Sequence, residues 1–261
     1  MLKFSANISL LYTDLPVLDR IKAAADDGFT AFEIHFPYEV PIDDLSKAIN
    51  LAKIKLALFN FPAGDFSDGG PGIACLAERE SHFRAAVAEA KIYAEALNPY
   101  CINILAGIPP KHIDKEVSKK IFINNLEYAS NRFINIKSKI LIEPINIYDR
   151  PNFLINRTKE AVQIIKDLGC ANLKVLFDIY HMQRMGEDIF NSLTKYIDFI
   201  GHIQFADFPG RNEPGTGIIG FDEIFKILNK INYSHYLGAE YNPFNSTHES
   251  LSWLNKLKLN D

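Results

Sequence analysis

Short runs rich in Ile, Val, Leu and Phe recur along the chain, and each is followed by a longer segment whose apolar positions fall at helical spacing. The runs predict strands over Phe4–Ile8, Ala31–His35, Lys55–Phe59, Cys101–Leu105, Ile140–Glu143, Leu173–Asp178, Phe199–Phe205 and Tyr236–Glu240. The periodic segments predict helices over Leu15–Asp27, Ile42–Ala52, Ala77–Leu97, Lys115–Phe133, Thr158–Leu168, Asp188–Tyr196, Phe221–Asn229 and Glu249–Leu257. The third helix runs up to Asn98-Pro99, a stop signal, because proline cannot donate to the helical ladder. Parallel neighbours need a crossover, so strands alternating with helices imply a parallel sheet, and eight such units imply closure. The expected fold is α/β: a single (β/α)8 TIM barrel spanning residues 1–261, a length near the roughly 250 residues typical of that architecture.

The last four strands close on polar residues. ILIE ends in Glu143, LKVLFD in Asp178, GHIQ in Gln204 and YLGAE in Glu240, each about one strand–helix repeat from the next. Barrel enzymes keep their chemistry at the C-terminal ends of the strands. Three carboxylates brought together there repel, and left bare at least one would take a proton. A divalent cation removes that conflict, and an all-oxygen set favours Mg²⁺ or Mn²⁺ over zinc.

Composition narrows the function classes. An apolar fraction of 48% supplies a large core, and a net charge of −4 without a basic block argues against a nucleic-acid partner. The three cysteines, Cys75, Cys101 and Cys170, are scattered and form no CxxC, which suits core residues in a reducing compartment. The N-terminal segment lacks the apolar centre of a signal peptide and no run approaches membrane-spanning length, so no membrane partner and a cytoplasmic location are expected.

Further polar residues stand near the same rim. His181 follows Asp178 within DIYHMQRM, Arg211 follows Gln204 within DFPGRNEPGTG, and Asp149 lies in the loop after Glu143. His181 is suited to polarise a carbonyl oxygen and Arg211 to clamp a carboxylate with two parallel hydrogen bonds. His35, closing the second strand, is a weaker pocket candidate; the remaining histidines form no ligand spacing and read as structural. Asn60–Ala74 would hang over the barrel mouth, either as a lid or as a solvated loop. GTGIIG (Gly215–Gly220) has the letters of a dinucleotide fingerprint, but a polar loop precedes it instead of a buried strand, so no nucleotide cofactor is expected.

These residues resemble a known family. FSANIS, FPY at Phe36–Tyr38, NFPAGD at Asn60–Asp65, GIACLAERE at Gly72–Glu80, LIEPIN, DIYHMQRM, NEPGTG and GAEYNP are similar to segments of the bacterial hydroxypyruvate isomerases, within the xylose-isomerase-like barrel superfamily. The resemblance implies Glu143, Asp178, Gln204 and Glu240 as the metal-site residues, with Glu143 and Glu240 as the proton donor/acceptor pair. It also implies that His181, Arg211 and Asp149 hold oxygens of a small anionic keto-acid, whose enediolate the metal stabilises. Ile218 and Asn242 stand where the family would have Glu and Lys. Two alternatives stay open: an isomerase or epimerase of a larger keto-sugar or four-carbon sugar acid, and a sugar-acid binding barrel without turnover. A homo-oligomer formed through surface helices also stays open, with Trp253 and Tyr233 readable as contact or as core.

Overall fold

The computed structural model describes residues 2–259. Its strands are β1 (Lys3–Asn7), β2 (Ala31–Ile34), β3 (Lys55–Asn60), β4 (Cys101–Ile104), β5 (Lys139–Ile142), β6 (Leu173–Asp178), β7 (Ile200–Phe205) and β8 (Tyr236–Ala239). All neighbours pair in parallel and β8 returns to β1, so the sheet closes into the expected barrel. The helices are α1 (Val17–Asp26), α2 (Ile42–Ala52), α3 (Glu80–Leu97), α4 (Lys115–Arg132), α5 (Thr158–Leu168), α6 (Ile179–Arg184), α7 (Ile189–Tyr196), α8 (Phe221–Lys230), α9 (Thr247–Ser250) and α10 (Ser252–Leu259).

The structure differs from the sequence expectation in three local places. The third helix begins at Glu80, after a tight turn over Ala77–Arg79. The C-terminal helix is broken into α9 and α10, and the break lies where the buried Tyr241 hydroxyl meets both Ser250 Oγ (2.9 Å) and Trp253 Nε1 (3.2 Å). A short helix not anticipated, α6, starts directly at the end of β6. Asp178 caps it by accepting from the His181 backbone N–H at 3.0 Å.

The main apolar core fills the space between barrel and helices. Phe4 and Phe205 meet Trp253 edge-on, both at 5.2 Å, which puts Trp253 in the core; Tyr233 is also buried. Among the described residues, no helix is long and apolar enough to cross a membrane.

Inside the barrel, side chains follow the two-residue period of the strands. The lower positions are apolar on one half, where Leu58, Cys101, Leu141 and Leu176 form a separate cluster. On the other half they are Ser5, Glu33 and His202, all fully buried. Two residues further along each strand path come Asn7, His35, Asn60, Asn103, Glu143, Asp178, Gln204 and Glu240. Every one of these upper positions is polar, and register sets neighbours side by side: Asn60 pairs with Asn103, and Asp178 with Gln204.

Candidate active site

The upper ring is organised as acids held by amides. Asn103 Nδ2 donates to Glu143 Oε2 at 2.7 Å and to Asn60 Oδ1 at 3.1 Å. Asn7 Nδ2 and Gln204 Nε2 both donate to Glu240 Oε2, at 2.9 and 2.5 Å. The other Glu240 oxygen accepts from Arg211 Nη2 at 2.8 Å, and His35 Nε2 stands 3.6 Å from it. Glu143, Asp178, Gln204 and Glu240, all expected at the rim, are thus brought together and buried.

Electrostatics separates the acids. Burial, reinforced by the charges of Glu240 and Asp178, raises Glu143 well above the ordinary carboxylate range. Burial also raises Asp178, against the opposing pull of His181 and Arg211. Burial pushes Glu240 the same way, but His35 and Arg211 outweigh it and hold this carboxyl down at about 2. Two acids facing one cavity therefore differ in proton affinity, the pattern that divides acid from base.

Asp149, His181 and Arg211 line the same cavity, of about 270 Å³. Asn146 Oδ1 accepts two backbone N–H groups, from Tyr148 and Asp149, which identifies its other end as the NH₂. That NH₂ lies 2.6 Å from His181 Nδ1 and donates to Asp149 Oδ2 at 2.8 Å. His181 Nδ1 is therefore an acceptor, and the ring hydrogen sits on Nε2, which faces Glu143 (3.8 Å) and Asp178 (3.9 Å). Burial, partly offset by Asp178, lowers the His181 pKa and favours the neutral ring. Asp149 is bound to Arg184 at 3.3 Å. Against the upward push of partial burial, its bonds to Asn146 and Tyr180 and the nearby Arg184 hold its carboxyl below the usual range.

Arg211 reaches the site from an unusual loop. The buried Asp207 carboxylate accepts backbone N–H groups of Phe208, Gly215, Gly217 and Ile219, winding the chain around itself. A Cβ at Gly217 would strike the Phe208 carbonyl, and Gly215 takes a left-handed φ of 94°, so these two glycines of GTGIIG serve the winding of the loop. Within the loop Arg211 adopts a left-handed φ of 58°, and its guanidinium lies over the Tyr180 ring at 5.3 Å. Neither Ile218 nor Asn242 lines the cavity.

Asn60–Ala74 is packed over the mouth. Phe66 is buried and, with Ser67, lines the cavity. Asp65 pairs with Arg79 at 2.8 Å, while Arg150 donates to the Phe66 carbonyl at 3.1 Å and stacks on its ring at 4.4 Å. Sequence reasoning missed this latch, and it missed Asn7, Asn60 and Asn103. An amide closing each apolar run, in FSAN, ALFN and CIN, was the signal available. A larger groove of about 670 Å³ lies outside the barrel between α4, α5 and α7, but no cluster of buried acids converges there.

The family model for the xylose isomerase-like TIM barrel matches residues 21–257. The chain belongs to that family. Within it, the hydroxypyruvate isomerase of Escherichia coli K12 is 42% identical over 97% of this chain and 98% of that protein. The 2-oxo-tetronate isomerase of Cupriavidus necator H16 is 37% identical over 97% of this chain and 98% of its own. A solved structure from Brucella melitensis, described as an AP endonuclease of family 2, superposes with a TM-score of 0.94 at 32% identity, covering 98% of this chain and 99% of that one.

In this family member, Glu143, Asp178 and His181 form a buried group whose potential ligand atoms all lie within 4.8 Å, so the site can hold a metal ion. Two further atoms bear on the fit. Asp178 Oδ2 and Gln204 Oε1 are buried and have no hydrogen-bond partner, as oxygens awaiting a cation would be. A cation must compete with protons for Glu143 and Asp178, whose proton affinities burial raises. In the metal-free protein those two raised acids contribute stability below the ordinary carboxylate pKa that is lost as pH rises; Glu240, held low, contributes stability that is lost only as pH falls toward 2. Mn²⁺ at fixed free concentration is therefore expected to raise the melting temperature more at pH 8 than at pH 5.5. An increment that shrinks with pH would show that these acids are not the ligands.

Proposed function

We propose that the chain is a hydroxypyruvate isomerase, interconverting hydroxypyruvate and 2-hydroxy-3-oxopropanoate (tartronate semialdehyde). The observation that carries this reading is the pair Glu143 and Glu240. Both line one small cavity, and their environments drive their proton affinities apart. Moving a carbonyl between C2 and C3 requires a proton to leave one carbon and another to reach its neighbour. Glu240, ionised, is the acceptor at C3 in the forward direction and Glu143 is the donor at C2; the hydroxyl proton on C3 passes to the C2 oxygen, the two acids reset by proton exchange with solvent, and the roles reverse in the other direction. Such transfers supply about 10²–10⁴-fold, roughly 3–5 kcal/mol, so a weak carbon acid needs further help.

Glu143, Asp178, Gln204 and Glu240 would hold a divalent cation, Mg²⁺ or Mn²⁺, through oxygen atoms alone. When bound, it supplies positive charge where the enediolate oxygen becomes negative. His181 is read as a donor to the substrate, not as a ligand, because the hydrogen on Nε2 occupies the lone-pair position a metal would need. Arg211 is read as the clamp on the substrate carboxylate: its Nε is buried without a partner, and one Nη already reaches the cavity at Glu240. Transfer of that contact to substrate would free Glu240 Oε1 to accept a proton. Asp149 then holds a hydroxyl at the far rim.

The cavity, with Phe36, Phe66, Leu105 and Ile145 among its walls, lies at the small end for ligand pockets, which suits a short acid better than a hexose. Four acids and a net charge of −4 are unsuited to a nucleic-acid backbone, so strand cleavage of the kind named for the Brucella protein is disfavoured. The test is solvent-deuterium exchange into hydroxypyruvate, with 2-oxo-tetronate and ketohexoses run beside it. Metal-stripped protein should exchange little and recover with Mn²⁺ or Mg²⁺. Full exchange after stripping would remove the cation from the mechanism, and faster turnover of the four-carbon acid would move the substrate assignment to the oxo-tetronate isomerases. Binding without exchange would point to a barrel that has lost turnover.

A further inference from the structure

Glu33 takes no part in the chemistry above, yet it is completely enclosed inside the barrel. Ser5 Oγ donates to its Oε1 at 2.5 Å, His202 Nε2 lies 2.8 Å from the same oxygen, and Gln204 Nε2 donates to Oε2 at 2.8 Å. β8 leaves room for it, since a Cβ on Gly238 would collide with both carboxylate oxygens. A buried carboxylate is costly unless well paired, and residues from β1, β7 and β8 are committed to accommodating this one.

The consequence falls on Gln204. The two ends of a primary amide are nearly the same size, so hydrogen bonding decides which end faces which way. The Gln204 nitrogen gives one hydrogen to Glu33 Oε2 and one to Glu240 Oε2. With both hydrogens taken by acids, the Oε1 end is left buried and without a protein partner. The geometry points to Glu33 as a positioning residue that locks the Gln204 amide with its oxygen, and not its NH₂, offered to the cation. An amide nitrogen with two hydrogens has no lone pair to give a cation, so a rotated Gln204 would remove one ligand and present two hydrogens to it. This inference rests on the cation site proposed above.

The test titrates Mn²⁺ into metal-free protein without substrate, followed by calorimetry. Replacing the buried pair by Glu33→Met with His202→Leu removes the acceptor and puts apolar side chains of similar size in its place, a type of change that often spares folding. The folded double variant should bind Mn²⁺ about 10–100-fold more weakly than wild type. Glu33→Gln, whose amide oxygen can stand in for Oε2, should recover most of that loss. Wild-type affinity in the folded double variant would overturn the inference, because a purely structural role lowers thermal stability without changing the affinity of the folded protein. Should the double variant not fold, NMR of the wild type decides. On adding Mg²⁺ the Gln204 side-chain carbonyl carbon should shift while its two NH₂ protons stay slow to exchange; NH₂ protons that become freely exchanging would overturn it. No Mn²⁺ binding by wild type would defeat the cation site and this inference together, whereas equal binding by wild type and variant would defeat this inference alone.

Discussion

Glu240→Gln is expected to lower kcat for hydroxypyruvate isomerisation by about 10³–10⁴-fold with KM changed by less than about fivefold. Glu240 is the acid kept ionised, through His35 and Arg211, and an amide in its place keeps one accepting oxygen where the carboxylate has two and cannot take a proton from carbon. Glu143→Gln should cause a similar loss for the complementary reason, since it removes the acid with the highest affinity for a proton. The two variants differ in stability. Glu143 contributes stability that disappears as pH rises, so Glu143→Gln should melt no lower than wild type in metal-free buffer at pH 8. Glu240→Gln loses a favourable ion pair and should melt lower at the same pH. Steady-state kinetics, deuterium exchange and metal-free melting curves check both. Retention of exchange into substrate by either variant would show that its carboxylate does not carry the proton.

Arg211→Ala should act mainly on binding. Two charge-assisted hydrogen bonds to a substrate carboxylate contribute about 3–4 kcal/mol together, so KM is expected to rise about 10²–10³-fold while kcat falls far less. The physical need is plain from the cavity, where an anionic substrate must enter among Glu143, Asp178, Asp149 and Glu240. Removing Arg211 also removes one of the charges that hold Glu240 down, so the acid limb of the kcat–pH profile should move to higher pH. Arg211→Lys should recover charge without the paired geometry, and so only part of KM. Equal kcat losses with unchanged KM in Arg211→Ala and Glu240→Gln would refute the division of labour between them.

Much of this site was legible before the fold was known, and the reason lies in strand chemistry. A carboxylate closing an apolar run, as in ILIE or YLGAE, is conspicuous because burying it is costly. Asn7, Asn60 and Asn103 carry no charge, so the same positions on the first, third and fourth strands did not stand out, although Asn7 and Asn103 hold the acids in place and Asn60 accepts from Asn103. Glu33 inside AFEI was overlooked for another reason. One acid within a strand has no visible partner until β1 and β7 are folded against it.

The order of strands and helices, the barrel and the positions of Glu143, Asp178, Gln204 and Glu240 followed from the linear chain, because alternation and helical period are local properties and closure follows from their count. What the linear chain could not decide were quantities that depend on distance between remote residues. Which acid keeps its proton, which end of the Gln204 amide faces inward and which nitrogen of His181 carries hydrogen are set by Arg211, Glu33 and Asn146, brought near only by folding. Desolvation and Coulomb energy vary with burial and separation, and neither exists until the barrel has closed.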